Sequence, residues 1–295
     1  MAISQCGQTS SAIGREQKKH GTALFPAACY DDDLAQDEVP WHWHEELEAI
    51  VVTEGVVEVA TDRERVLLNI GDGCFINSEV LHTILSKGNC ESRIHSVVFH
   101  PRLIGGASES IFWQKYLRPI IENKALPIMK IAGGGCKKMI SSIERAWECI
   151  ASEPAGYELS VRNALSDLVL ELTSSIPSQP AKPSETKRRN EDRIKKMLTY
   201  IQEHFADEIS VKDIAASASV SESECIRCFR STIGHTPISY VIQLRLQNAA
   251  DLLEMTDRKI VDIGNNCGFR EMNYFSKSFK EQYGMTPTEY RRMRR

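Results

Sequence analysis

Short runs of apolar residues fill the first hundred positions, and the spacing then lengthens to that of helices. Leu47 to Val52, Val56 to Ala60, Val66 to Ile70, Cys74 to Ile76 and Ile94 to Phe99 have strand length, and Gly55, Gly71-Asp72-Gly73 and Gly88-Asn89 punctuate them. Many short strands joined by polar turns predict a jelly roll or small barrel over residues 21–105. Beyond it, Phe112, Tyr116, Leu117, Ile120 and Ile121 form one amphipathic stretch, and Met139, Ile140, Ile143, Ala146, Trp147 and Ile150 form another. Val161, Leu165, Leu168 and Leu172 follow with heptad-like spacing, so residues 106–176 read as helical. Pro177 to Asn190, rich in Pro, Ser and Lys, reads as a linker. Residues 1–20 are polar and read as disordered.

The last ninety residues carry one pattern twice. Val211-Lys212-Asp213-Ile214, Phe229-Arg230, Gly234-His235-Thr236-Pro237 and Tyr240 return as Ile260-Val261-Asp262-Ile263, Phe279-Lys280, Gly284-Met285-Thr286-Pro287 and Tyr290. A repeat of this period signals a duplicated supersecondary unit. Ser210 to Asp213 and Ser221 to Glu224 are capping boxes that open two helices, with small residues Ala216-Ser217-Ala218-Ser219 between them. Helix, tight turn and second helix make a helix-turn-helix, placed at about 209–234 and again at about 259–284. In the second copy Gly268 serves the turn, and a helix runs from about Glu271 to Tyr283. Gly234 and Gly284 stand where a left-handed C-cap is expected.

Charge separates the same regions. Residues 187–295 hold 19 Lys and Arg against 15 Asp and Glu, within a chain that totals 36 and 40. A basic segment on an acidic chain fits a polyanionic partner for that segment alone. Nine cysteines at irregular spacing read as reduced thiols, with no signal peptide and no span for a membrane, which gives a cytoplasmic expectation. Cys225-Ile226-Arg227-Cys228 is a C-x-x-C, but both cysteines fall on the apolar face of their helix and read as core.

Residues 193–295 resemble the DNA-binding domain of the AraC/XylS family of bacterial transcription regulators. Gly268-Phe269, Glu271, Asn273, Tyr274-Phe275, Lys277, Phe279-Lys280, Gly284, Thr286-Pro287 and Tyr290-Arg291 carry that resemblance in the second half. Ile214-Ala215, Ser221, Arg227, Phe229-Arg230, Gly234, Tyr240, Arg245-Leu246, Ala249, Leu252-Leu253 and Thr256 carry it in the first. The resemblance implies seven helices over 191–295, a long one from about Pro237 to Met255 joining the two units, and two major-groove contacts about 34 Å apart. It implies base-reading positions at Glu222, Ser223, Ile226 and Arg227 and at Met272, Asn273, Ser276 and Lys277, with Arg230 and Lys280 on phosphate.

In the first part, His42-Trp43-His44 and Glu48, then Gly71-Asp72 and His82, resemble the cupin pattern. Asn77, Glu79 and Ser86 depart from it, standing where Pro, Gly and Asn are usual. His42, His44 and Glu48 share parity, so on a continuous strand they face the barrel interior. With Trp41 and Trp43 they read first as the lining of an effector pocket. His42, His44, Glu48 and His82 are also a candidate ligand set for a divalent metal, although no cofactor is required, or they are simply buried and hydrogen-bonded.

The expected fold is therefore multidomain α+β: a cupin-like barrel with following helices, then an all-α domain with two helix-turn-helix motifs. The expected function is a DNA-binding transcription regulator, not an enzyme, with no catalytic residue, controlled by a small molecule such as a sugar or related metabolite. Its expected partners are promoter DNA, the effector, a second copy joined through helices 106–176, and RNA polymerase if it activates; no membrane is expected. The alternatives are a metal-dependent cupin enzyme fused to a DNA-binding domain and a constitutive DNA-binding protein whose cupin only dimerises.

Overall fold

A computed structural model describes residues 14–16, 20–34, 39–88, 91–175 and 185–294. The chain divides into two compact units, 1–188 and 189–295.

Among the described residues, the first unit is built on ten strands: β1 (Gly14–Arg15), β2 (Ala27–Asp33), β3 (Val39–Trp43), β4 (Leu47–Glu54), β5 (Val56–Thr61), β6 (Arg65–Asn69), β7 (Gly73–Ile76), β8 (His82–Ser86), β9 (Arg93–Phe99) and β10 (Ile128–Ile131). They form two five-stranded sheets, in the orders β1-β3-β8-β5-β6 and β10-β7-β4-β9-β2. The continuous apolar run of β4 follows from burial on both faces. Ile50 and Val52 point inward with Val57, Val59, Leu68, Ile76, Ile84 and Ile94. Leu47, Ala49 and Val51 point outward, where helices cover them.

Those helices are α1 (Arg102–Gly105), a π-helical turn (Trp113–Leu117), α2 (Arg118–Ile121), α3 (Lys137–Ser152) and α4 (Tyr157–Ser175). The heptad-like stripe of α4 is spent inside the unit. Val161, Leu165, Leu168 and Leu172 have no exposed surface and share one core with Leu47, Phe75, Val97 and Phe99. Helical spacing reported a buried stripe correctly; what buries it is the unit's own core, with α3 as the principal neighbour. The helical region is also not a separate layer after the barrel, because β10 returns from it to pair with β7.

Two boundaries differ as well. Residues Gly14 and Arg15, expected to be disordered, pair in parallel with His42 and Trp43 of β3. Helix α5 (Glu185–His204) begins inside the expected linker; residues 177–184 of that linker lie outside the described residues.

The second unit continues with α6 (Val211–Ser217), α7 (Glu222–Thr232), α8 (Pro237–Met255), α9 (Ile260–Asn266), α10 (Met272–Tyr283) and α11 (Pro287–Arg294). Ser210 and Asp213 form the full capping box on α6, and the Ser221 hydroxyl accepts from the Glu224 amide on α7. Helix α8 serves both halves. Its Tyr240 ring packs edge-on against Phe229 at 5.7 Å, while Leu246, Ala249, Ala250 and Leu253 join Ile263, Phe269, Phe275, Phe279 and Tyr290.

The turn between the two helices of each copy needs a left-handed residue, and the two copies supply it differently: Ser219 has φ 54° and Gly268 has φ +82°. At Gly268 a Cβ would also lie 2.8 Å from the Ala206 carbonyl oxygen and 2.9 Å from Arg245 Nε. Arg245 cannot give way freely, since it donates to the carbonyls of Phe205 and Asp207. Gly268→Ala is therefore expected to cost about 2–4 kcal/mol, combining left-handed strain with overpacking. Thermal denaturation checks this; a transition within about 1 °C of the parent would contradict the close approach.

Candidate functional site

The exposed face of the second unit carries most of the residues expected to meet DNA. On α7, Glu222, Ser223, Arg227 and Arg230 are exposed and Ile226 is half-buried, while Cys225, Cys228 and Phe229 pack inward. On α10, Asn273, Lys277 and Lys280 are exposed, Ser276 is half-buried, and Phe275 and Phe279 pack inward. Met272 is the departure. It is half-buried against the second core, and its methyl group leaves no room for a Cβ on Gly264.

Arg227 is not free on its helix: its guanidinium holds Glu224 at 2.6 to 2.9 Å, and Arg193 of α5 reaches the same carboxylate at 3.2 Å. Tyr274, 48% exposed beside Phe269, belongs to this face and was not picked out as a DNA contact, although an aromatic at the exposed third position of the helix was visible in the sequence. Burial pushes the Cys225 thiol up to about 11 and raises that of Cys228, so both stay protonated, unreactive parts of the core.

In the first unit, His42, His44, Glu48 and His82 converge, with one ligand atom from each lying within 4.8 Å of all the others. They meet by a different route from the shared parity on one strand. Strand β3 ends at Trp43 and β4 begins at Leu47, so the chain turns a corner between His44 and Glu48. His42 and His82 are cross-strand partners in one sheet, and Glu48 faces them from the other. Trp43 alternates with His42 and so lies on the opposite side of β3. Trp41 and Trp43 are both buried.

Each imidazole is held by its Nδ1. His42 Nδ1 meets the Pro40 carbonyl at 2.8 Å, His44 Nδ1 that of Glu46 at 3.1 Å, and His82 Nδ1 that of Val80 at 2.9 Å. A carbonyl accepts only, so Nδ1 carries the proton and the Nε2 lone pair is left pointing inward. Two of these lone pairs then face one carboxylate: Glu48 Oε2 lies 3.1 Å from His82 Nε2 and 3.5 Å from His44 Nε2. Acceptors facing acceptors repel unless positive charge sits between them. A second proton on an imidazole supplies it, and so does a metal cation.

The surroundings act in the same direction. Burial, followed by the neighbouring His82, pushes His42 down to about 3, leaving it neutral. Burial disfavours charge on His44, but the Glu48 carboxylate outweighs it and raises the pKa. Burial likewise opposes ionisation of Glu48, yet His44 and His82 hold it well below the usual carboxylate range. Ser96 donates to Glu48 Oε1 at 2.7 Å and fixes the carboxylate from behind. Sequence reading missed Ser96, although it shares the inward face of β9 with Ile94 and Val98, at every second position. A Nδ1-anchored histidine with an oriented carboxylate is the outer-shell arrangement of metal ligands. Bonds of about 2.1 Å set neighbouring donors about 3 Å apart and opposite ones about 4.2 Å apart, so this donor set fits a divalent ion.

The three departures from the cupin pattern have local reasons. Asn77 donates to the carbonyls of Ile120 and Leu126, tying the helical segment to the barrel. Glu79 keeps the left-handed backbone of the glycine it replaces, at φ 60°. Ser86 donates to Ser92.

Comparison with known proteins gives two family matches. Residues 25–186 match the AraC-like ligand binding domain, and residues 214–293 match a helix-turn-helix domain. The chain is 26% identical over 284 residues to YdeC of Bacillus subtilis, named as an uncharacterized HTH-type transcriptional regulator; the match covers 95% of this chain and 96% of that one. It is 26% identical over 286 residues to RhaS of Klebsiella pneumoniae, named as an HTH-type transcriptional activator, covering 93% and 97%. Among solved structures, an AraC-type DNA-binding-domain regulator from Chromobacterium violaceum matches 35% of this chain and 92% of its own, at 31% identity and a TM-score of 0.34.

Proposed function

Since this chain belongs to the AraC family, as a DNA-binding regulator with a ligand-binding N-terminal domain, we propose that a small molecule bound in the barrel controls which promoter segments it holds. The observation that supports this most is the enclosed site at His42, His44, Glu48 and His82, in a unit separate from the helix-turn-helix pair. We also propose that these four residues hold a divalent metal, which presents a charged centre for an effector oxygen. We propose further that the chain works as a homodimer in the cytoplasm and engages RNA polymerase where it activates transcription; the RhaS relative is named as a transcriptional activator.

The effector and DNA sites are coupled: whatever factor the effector puts on DNA affinity, DNA must put on effector affinity. A thermal-shift panel of sugars and sugar acids identifies the effector, and DNA titrations with and without it measure the coupling. Equal DNA affinity and equal half-site spacing in the two states contradict the control mechanism. The second reading, a metal-dependent enzyme, draws on the same four residues and requires turnover of the bound compound.

On the DNA face, Lys277 and Asn273 read bases and Lys280 and Arg230 hold phosphate. Lys277→Ala is expected to cost about 1–3 kcal/mol and relax selectivity at one base pair. Lys280→Ala instead weakens binding evenly across sequences and lowers the salt slope by about 1. Anisotropy titrations over a salt series on matched and mutated sites separate the two; identical behaviour of the variants contradicts the assignment.

A further inference from the structure

The buried histidine site has a neighbour that the four-residue set does not include. Glu16 follows β1, and its side chain is 1% exposed. Its Oε2 lies 3.8 Å from His42 Nε2 and 3.2 Å from His20 Nε2. Neither carboxylate oxygen has a hydrogen-bond partner of good geometry, nor does His44 Nε2. His20 is itself held by the Tyr30 hydroxyl at 2.8 Å, and its ring lies 5.5 Å from that of His44. Among the described residues, the nitrogen groups within ion-pair distance of Glu16 and Glu48 are imidazoles, with no Lys or Arg. Two buried carboxylates with only imidazoles around them leave a charge of about −2 in the interior, which is costly without a counter-charge.

We infer that Glu16 is a further ligand of the divalent metal, so that metal binding fastens the β1 strand to the barrel. The inference rests on the metal reading of His42, His44, Glu48 and His82, and adds to it the second carboxylate that makes the site neutral around a doubly charged ion. The backbone supports this placement. The Glu16 amide donates to the Trp43 carbonyl at 3.0 Å, one residue from His42, and Arg15 pairs with Glu45 at 2.8 Å on the surface. A ligand delivered by a two-residue strand is held by few backbone bonds, so the metal bond is a large part of what keeps that strand in place.

The full-length protein is titrated with Co2+, whose visible spectrum reports the number and kind of donors. The backbone exchange of the segment containing Glu16 is followed in parallel. Glu16→Gln is expected to weaken Co2+ binding about tenfold or more and to alter the spectrum, while Glu16→Asp restores part of both. Co2+ is expected to slow exchange at Glu16 in the unmodified chain and not in Glu16→Gln. Unchanged affinity and spectrum in Glu16→Gln, with binding still lost in His82→Ala, overturns the role of Glu16 and leaves the four-residue site standing. No Co2+ binding by the unmodified chain overturns both readings. Exchange at Glu16 that ignores Co2+ in the unmodified chain also overturns the fastening, and this arm needs no variant.

Discussion

Phe279→Ala is expected to abolish sequence-specific DNA binding while leaving the N-terminal unit folded. Phe279 has no exposed surface and sits where α10 meets α11. Its ring lies 5.7 Å from Phe275 and 4.6 Å from Tyr283 on its own helix, and 5.4 Å from Tyr290 on α11. Truncating a buried phenylalanine costs about 3–5 kcal/mol through lost transfer energy and the cavity left behind. A domain of this size is stable by about 5–15 kcal/mol, so the second copy loses much of what holds α10 in place. The measurement is DNA titration alongside two-wavelength thermal denaturation. A variant that still binds DNA with the parent's selectivity would contradict the packing described for the second helix-turn-helix.

The second large effect concerns the barrel. His82→Ala is expected to lower divalent-metal affinity about 100-fold or more and to destabilise the unit even without metal. His82 has no exposed surface, and its ring faces His42 at 4.2 Å. Removing it deletes one of the four proposed ligands and takes away the imidazole nitrogen nearest to Glu48, at 3.1 Å. Breaking a buried pair from one side costs about 3–5 kcal/mol, because the remaining charge stays buried. At 100 times its dissociation constant, a metal stabilises the unmodified chain by about 2.7 kcal/mol. Zn2+ calorimetry and melting with and without Zn2+ test this together. The same metal-induced stabilisation in His82→Ala and the parent would sink the four-residue site.

The repeated unit was legible because its determinants are local. Capping by Ser210 and Ser221, the helical spacing of Cys225, Cys228 and Phe229, and the left-handed Gly268 and Gly284 all act within a few residues. The histidine cluster was legible as residue types, yet the parity argument joined His42 and Glu48 on one strand when a corner separates them. Strand β2 ends in three aspartates, so it did not look like a strand. Strand β10 owes its place to β7, some fifty residues earlier, and local pattern carries no trace of that pairing. The stripe on α4 shows a further limit: periodicity says that a face is buried, not what buries it. Glu16 and His20 sit in a polar stretch whose only sign of function is where the fold carries them.

The central claim is that one chain reads DNA through two joined helix-turn-helix units. Selection of bound sites from a random duplex library with the full chain tests it most directly. The account predicts enriched sites with two conserved segments per chain, about 10–10.5 base pairs apart, the second of which disappears when Asn273 and Lys277 are both changed to alanine. Enrichment of a single segment that is indifferent to those changes, or no enrichment at all, would contradict it.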